Sequence, residues 1–357
     1  MSNLQGQFSK VILFYRTVAF HCFRFDEHPT RSKDSIFFTL LNVCLMTTLF
    51  WWIYQHQSLV LFTDDAPGYV IDFSKFLLIA VVYFTVLLES WFYRKVVANI
   101  WSELDLVYRA IASPNWARLQ RRHFTIVGCF LVYMSFWELS FAYGVNGTAR
   151  GTNFTITFWL LFTLIHLRQL QILLYTDLLG FCLAELNAQM RWTIELSRAA
   201  TEYGGPRTDG QICGNLSRLM GVFERFYRLL GQLNRAFGCS LLVIKIINHG
   251  YLLTDTYWIV YGIMKGRLFQ AMYLQACLSS KIICLLLNAH SNEQIVLECV
   301  RLRELLHRID LGWQLRSVRG WRMVRNFLLQ LDTSVSVSVN AISMFKIDYG
   351  LMMSVSR

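Results

Sequence analysis

The chain has 357 residues, 55% of them hydrophobic and only 16% charged, where an ordinary soluble domain carries about 25% charged residues. These numbers exclude a soluble globular fold. The formal net charge of +11 does not point to a nucleic-acid partner, because the basic surplus sits in alternate connections between long apolar runs, the positive-inside pattern of a membrane protein.

The first 34 residues carry Lys10, Arg16, Arg24, Arg31 and Lys33. No apolar core followed by a small-residue cleavage site occurs there, so the first span is expected to serve as signal anchor. Six spans of about 20 apolar residues follow, each enough to cross a bilayer. Span one covers residues 35–54 and ends in Trp51, Trp52 and Tyr54, an interfacial aromatic belt. Span two, residues 73–93, ends in Trp91, Phe92 and Tyr93. Arg94, Lys95, Arg109, Arg118, Arg121 and Arg122 crowd the connection to span three, residues 124–143. A short hairpin then carries two glycosylation sequons, Asn146-Gly147-Thr148 and Asn153-Phe154-Thr155.

Span four, residues 154–180, is long enough to tilt or to project beyond the bilayer. Residues 181–236 form the longest connection, amphipathic on both sides of the breaker Gly204-Gly205-Pro206 and rich in arginine. We expect two cytosolic helices here, continuous with spans four and five. Span five (237–262) and span six (268–288) are joined by a very short turn. A basic amphipathic stretch, 289–332, follows, and 333–357 reads as the start of a truncated seventh span.

The sequence therefore predicts an all-α polytopic membrane protein with six complete transmembrane helices, a truncated seventh, a cytosolic N-terminus and long cytosolic helical extensions. Its units are a cytosolic segment (1–34), transmembrane helices one to four carrying the ligand-binding part (35–180), a cytosolic connection (181–236), helices five and six (237–288), a cytosolic helical anchor (289–332) and the seventh-span start (333–357). Orientation follows from charge: of the 34 Lys and Arg residues, only Arg150, Lys265 and Arg267 fall in external pieces. Asn146 and Asn153 are thus expected to be glycosylated, and a third sequon at Asn215, on the cytosolic side, to be unused. None of the nine cysteines lies in an external loop, so no disulfide framework is expected.

Two blocks carry a family resemblance. Leu233-Asn234-Arg235-Ala236-Phe237-Gly238 opens span five, and Asn326-Phe327-Leu328-Leu329-Gln330-Leu331 leads to Ala341-Ile342-Ser343-Met344-Phe345-Lys346-Ile347-Asp348-Tyr349-Gly350-Leu351. They resemble the insect gustatory receptor family, within the insect chemoreceptor superfamily, as does the whole layout. That family's Thr-Tyr…Gln-Phe hallmark belongs in a seventh span, which this chain only begins. The resemblance implies a taste receptor at the plasma membrane of a sensory neuron. It would be a subunit of a ligand-gated non-selective cation channel, assembled with other gustatory receptor subunits as a homo- or heterotetramer. The partners implied are a small-molecule tastant, those subunits and membrane lipid, with no nucleic acid and no cofactor. A non-conducting modulatory subunit and a G-protein-coupled receptor are the alternatives; the second expects an external N-terminus and an external disulfide.

Ionisable groups inside spans are costly and so informative. Glu138, His166, His249 and Asp255 fall in the outer half, and Glu89, Arg168, Asp177, Lys245 and Lys281 in the inner half. Tyr251, Asp255 and Trp258 share one helix face by their i, i+4, i+7 spacing. Trp137, Glu138, Trp159, Gln270 and Tyr273 lie at similar depth. Given the resemblance, Trp137, Glu138, Trp159, His166, Tyr251, Asp255, Trp258, Gln270 and Tyr273 are the candidate ligand contacts. Rings plus a carboxylate would suit a cationic, alkaloid-like ligand. The bland alternative is interhelical hydrogen bonding and interfacial aromatics. Lys245 and Lys281 are expected to snorkel to the cytosolic interface. No nucleophile elbow, P-loop or HExxH occurs, so no enzymatic activity is expected.

Overall fold

The computed structural model describes residues 4–18, 23–25, 32–34, 37–60, 66–111, 116–144, 149–203, 206–266, 268–309, 313–314, 317–333, 340–341 and 345–346. The helices are α1 (Leu4–Gln7), α2 (Ser9–Thr17), α3 (Phe37–Gln55), α4 (Gln57–Val60), α5 (Ala66–Phe92), α6 (Arg94–Ile111), α7 (Trp116–Gly144), α8 (Ala149–Tyr203), α9 (Pro206–Met264), α10 (Leu268–His307) and α11 (Val318–Thr333). The all-helical architecture expected from the sequence is found. Among the described residues two small antiparallel ribbons interrupt it, Phe23–Phe25 with Ser32–Asp34 and Asn340–Ala341 with Phe345–Lys346. The second ribbon lies where a seventh span was expected to begin; residues 347–357 lie outside the described residues.

Among the described residues, α3, α5, α8 and α9 are long and apolar enough to cross a membrane. In α5 the pattern is plain: Leu77, Val81, Phe84 and Leu88 recur at helical spacing and are exposed, as a lipid-facing stripe must be. Phe76, Ile79, Tyr83, Val86 and Leu87 point the other way and are buried. The centre of the bundle is α8. From Leu161 to Leu179 nearly every side chain is buried against α7, α9 and α10.

The expected continuity of spans four and five with the connection between them holds. Helix α8 runs 55 residues and α9 runs 59 without interruption, and α9 starts at Pro206, whose missing N–H costs nothing at a first helical position. At its other end α9 stops at a turn where Gly266 takes a φ of +68°, a left-handed conformation that favours glycine. This turn sends α10 straight back, and it marks what we term the hairpin end of the bundle. The far ends of α8, α9 and α10 form the stem. One boundary differs from expectation. Helix α8 begins at Ala149, so Asn153 lies on its second turn instead of in a hairpin loop; Asn146 lies outside the described residues.

The stem is tied by polar contacts between elements. Helix α6 joins α9 through Glu103 and Arg225 at 3.0 Å, and its buried Trp101 donates to the Tyr175 hydroxyl of α8 at 2.9 Å. The short α1 docks onto α6, with the Leu4 N–H donating to Asp105 at 3.0 Å. Tyr15 of α2 meets His123 of α7 at 2.9 Å. Asn187 of α8 donates to Glu298 of α10 at 2.7 Å. The described cysteines are all free thiols.

Candidate functional site

Three helices contribute one ionic cluster near the hairpin end. Lys75 stands nine residues into α5 and Asp255 nine residues before the end of α9, so each is about 14 Å along its helix from that end. Lys281 comes from α10. One oxygen of Asp255 accepts from Lys75 Nζ at 2.6 Å and the other from Lys281 Nζ at 2.5 Å. All three residues are buried, at 6%, 2% and 6% exposure. Two ammoniums therefore share a single carboxylate in a region of low dielectric.

Aromatic rings enclose the cluster. Lys281 Nζ lies 4.5 Å from the Tyr251 ring centroid and 5.0 Å from that of Phe162, and Lys75 Nζ lies 5.9 Å from Tyr251. Phe162 and Tyr251 pack edge to face at 5.1 Å, and the Tyr251 hydroxyl donates to the Lys75 carbonyl. Next to them His166, one turn along α8 from Phe162, is 2% exposed. Its Nδ1 is held by the Phe162 carbonyl at 2.7 Å, which makes Nδ1 the protonated nitrogen and leaves Nε2 as an acceptor. That Nε2 is buried without a hydrogen-bond partner and within Coulombic reach of Lys281. The Phe130 ring of α7 covers the imidazole at 5.0 Å.

The structure brings His166, Tyr251 and Asp255 of the sequence-derived set together. Trp258 is buried on the same face of α9, packed against Tyr261. Trp159 is half-buried with its Nε1 unpartnered, and Trp137 packs on the adjacent Phe136. The side chains of Glu138, Gln270 and Tyr273 lie outside the described residues.

Two expectations are corrected. Lys281 does not snorkel: its ammonium turns inward to Asp255 and to the Tyr251 face, because an ion pair inside the protein satisfies it without reaching an interface. Lys245 is buried as well. Nor is Asp255 a lone carboxylate open to a cationic ligand, since two ammoniums already occupy it. Sequence reasoning missed Lys75 and Lys281 as partners of Asp255, and Phe162 as a ring against Lys281.

A second buried cluster lies toward the stem. Arg168 of α8 and Glu89 of α5 pair at 2.6 Å, both side chains 2% exposed. The other oxygen of Glu89 accepts the Cys239 and Ser240 N–H groups of α9 at 3.0 and 3.1 Å. Arg168 also donates to Gln171 at 2.7 Å and to the Ser240 hydroxyl at 3.3 Å, and its guanidinium stacks over Phe237 at 4.4 Å. The block that opens the fifth span is thus clamped by α5 and α8.

The sequence matches the model of the 7tm Chemosensory receptor family over residues 11–356. The chain belongs to this chemosensory receptor family. No curated protein sequence matches it. Among solved structures, this chemoreceptor is similar in fold to the insect olfactory receptor OR5 from Machilis hrabei. The TM-score is 0.68 at 12% identity, over 98% of this chain and 94% of that one. A second structure of the same olfactory receptor, in complex with eugenol, matches at TM-score 0.62 and 10% identity, over 97% and 94% of the two chains. The receptor family and the insect chemoreceptor fold are therefore both established for this chain.

Proposed function

We propose that the chain is a gustatory chemoreceptor, a subunit of a ligand-gated non-selective cation channel in the plasma membrane of a sensory neuron. Its N-terminus lies in the cytosol, the hairpin end faces outside, and further subunits of the same family complete the pore. The ligand is a small organic molecule. It sits among α5, α8, α9 and α10, where Tyr251, Asp255 and His166 converge, with Trp137, Glu138, Trp159, Trp258, Gln270 and Tyr273 as the surrounding candidate contacts. The observation that carries this reading is the buried cluster of charge and aromatic rings near the hairpin end, in a chain with the fold of a receptor solved with eugenol. A pocket with few convergent polar groups on an aromatic wall is what small-ligand recognition requires. The gustatory branch is supported by the two sequence blocks at 233–238 and 326–351. The fold likeness favours a channel over a G-protein-coupled receptor. Ligand binding biases a closed–open equilibrium only through differential affinity for the open state.

Two experiments test this. Patch-clamp recording from cells expressing the chain alone and with family subunits, under a panel of small aromatic compounds, is expected to give a ligand-evoked cation current that Asp255→Asn abolishes while surface expression persists. A response that survives G-protein blockade but not removal of extracellular cations supports the channel; the reverse overturns it. Mapping glycans with Asn146, Asn153 and Asn215 each changed to Gln tests the orientation. Occupancy at Asn146 or Asn153 with Asn215 bare is expected, and a glycan on Asn215 overturns it.

A further inference from the structure

Two polar atoms one turn apart on α8 are buried without partners. Thr163 is 7% exposed and His166 2%, and their i, i+3 spacing puts them on one helix face. Among the described residues neither Thr163 Oγ1 nor His166 Nε2 has a hydrogen-bond partner, so the two are not bonded to each other.

For Thr163 this is an exception within its own helix. A threonine inside a helix can turn its hydroxyl back onto the carbonyl four residues earlier. Thr176 and Thr193 of α8 do so, at 2.8 and 3.1 Å. The Thr163 hydroxyl makes no such bond to the Trp159 carbonyl. For His166, the Nδ1–H on the Phe162 carbonyl tips the imidazole back over the turn that carries Thr163 and leaves Nε2 able only to accept. The Thr163 hydroxyl can donate. Each of these bonds, left unmade in a buried site, is costly. A single hydroxyl answers both demands: its proton goes to Nε2 and its oxygen accepts from Thr163. An ether or carbonyl oxygen has no proton for Nε2, and a hydrocarbon has neither. Charge plays no part in either demand. Beside the two atoms stand aromatic rings, Phe130 at 5.0 Å from the imidazole and Phe162 on the same turn of α8. A phenol joins a hydroxyl to a flat ring, and with a pKa of about 10 it stays neutral at pH 7, so burying it desolvates no charge.

We propose that Thr163 and His166 form a hydroxyl-recognition site and that the ligand is a neutral phenol, its O–H donating to His166 Nε2, its oxygen accepting from Thr163 and its ring against Phe130. The assignment rests on the ligand-site reading above and adds Thr163 to the residues that set specificity.

Three probes of one shape test it. 4-Propylphenol carries the hydroxyl, 4-propylanisole keeps the oxygen but not the proton, and 1-methyl-4-propylbenzene has a methyl group in the hydroxyl's place. Affinities come from the rise of the thermal midpoint of the full chain in lipid nanodiscs with probe concentration. The phenol is expected to bind about tenfold tighter than the other two, the worth of one to two net hydrogen bonds. Thr163→Val keeps the shape and removes the donor. It is expected to cost the phenol about fivefold, leave 1-methyl-4-propylbenzene unchanged, and leave the midpoint without probe unchanged or raised, since no bond is lost. His166→Leu should likewise weaken the phenol alone. If the three probes bind alike, or if Thr163→Val spares the phenol's advantage, water fills the site and the hydroxyl inference falls while the ligand site stands. If Thr163→Val lowers the midpoint without probe, the hydroxyl is already bonded in the free receptor and the inference falls too. If no probe shifts the midpoint, both fall.

Discussion

The two buried ionic clusters differ in how completely their partners are matched. Toward the stem, Arg168 and Glu89 form a closed set: one charge against one, with the second carboxylate oxygen taking two backbone N–H groups of α9 and the guanidinium also on Gln171, Ser240 and Phe237. Near the hairpin end, two lysines divide one aspartate, and a histidine acceptor beside them has no donor. A saturated network fixes one packing of α5, α8 and α9; an unsaturated one keeps capacity for a guest. The contrast separates a group that holds helices from a group that can also bind.

The largest expected effect comes from Asp255→Asn, which strands two buried ammoniums. Breaking a buried charge set in this way costs about 3–5 kcal/mol. Thermal unfolding in nanodiscs should show a large fall in midpoint, and a near-normal midpoint would mean that water or lipid headgroups reach the lysines. Arg168→Met should cost somewhat less, about 3 kcal/mol, because Glu89 keeps its two backbone donors. If it costs nothing, the stem cluster is not the clamp that its geometry indicates.

A buried group outside both clusters sharpens the comparison. His123 of α7, bonded to Tyr15, is pushed by burial down to about 4 from its ordinary value of 6.5. Since the folded state resists protonation and the unfolded chain does not, stability is intact above pH 6.5 and falls progressively as pH drops toward 4. The loss reaches about 3 kcal/mol at 1.36 kcal/mol per unit. His123→Gln should flatten this part of the stability–pH profile, as followed by denaturation between pH 4 and 7; an unchanged slope removes His123 as its source.

The smallest effect is expected for Lys75→Met. It leaves Asp255 and Lys281 as a matched pair, so the change in stability should stay within about 1 kcal/mol, well below that of Arg168→Met. Equal losses for the two variants would erase the distinction between a closed and an open cluster.

Much of the architecture was legible in the chain itself. Apolar run lengths and the alternation of basic connections are local properties, and they locate spans without knowledge of packing. The amphipathic arginine-rich flanks of Gly204-Gly205-Pro206 were enough to foresee that spans four and five continue as helices. The site was legible only along single helices. Tyr251, Asp255 and Trp258 share a face by spacing alone, and all three are buried. That Lys75, 180 residues earlier, and Lys281, 26 later, meet on Asp255 depends on how three helices rotate against each other, which no periodicity within one helix encodes. Depth counting placed Glu89 and Arg168 in the same half, yet could not pair them, because an unpaired charge in a span looks the same in sequence whether it faces a partner, water or an interface. For Lys281 the snorkelling expectation failed on that ambiguity.

The uninterrupted course of α8 and α9 has a mechanical consequence. At a rise of 1.5 Å per residue, their 55 and 59 residues make stiff rods about 80 and 90 Å long. Phe162 and His166 ride on one rod, Tyr251 and Asp255 on the other, and the same rods end in the stem beside α6, α10 and α11. Such a rod works as a pushrod: a tilt or twist imposed at one end must appear at the other, with no loop between to absorb it. Whatever repositions the rings around Asp255 therefore moves Asn187 and Arg225 as well, without any relay of side chains in between.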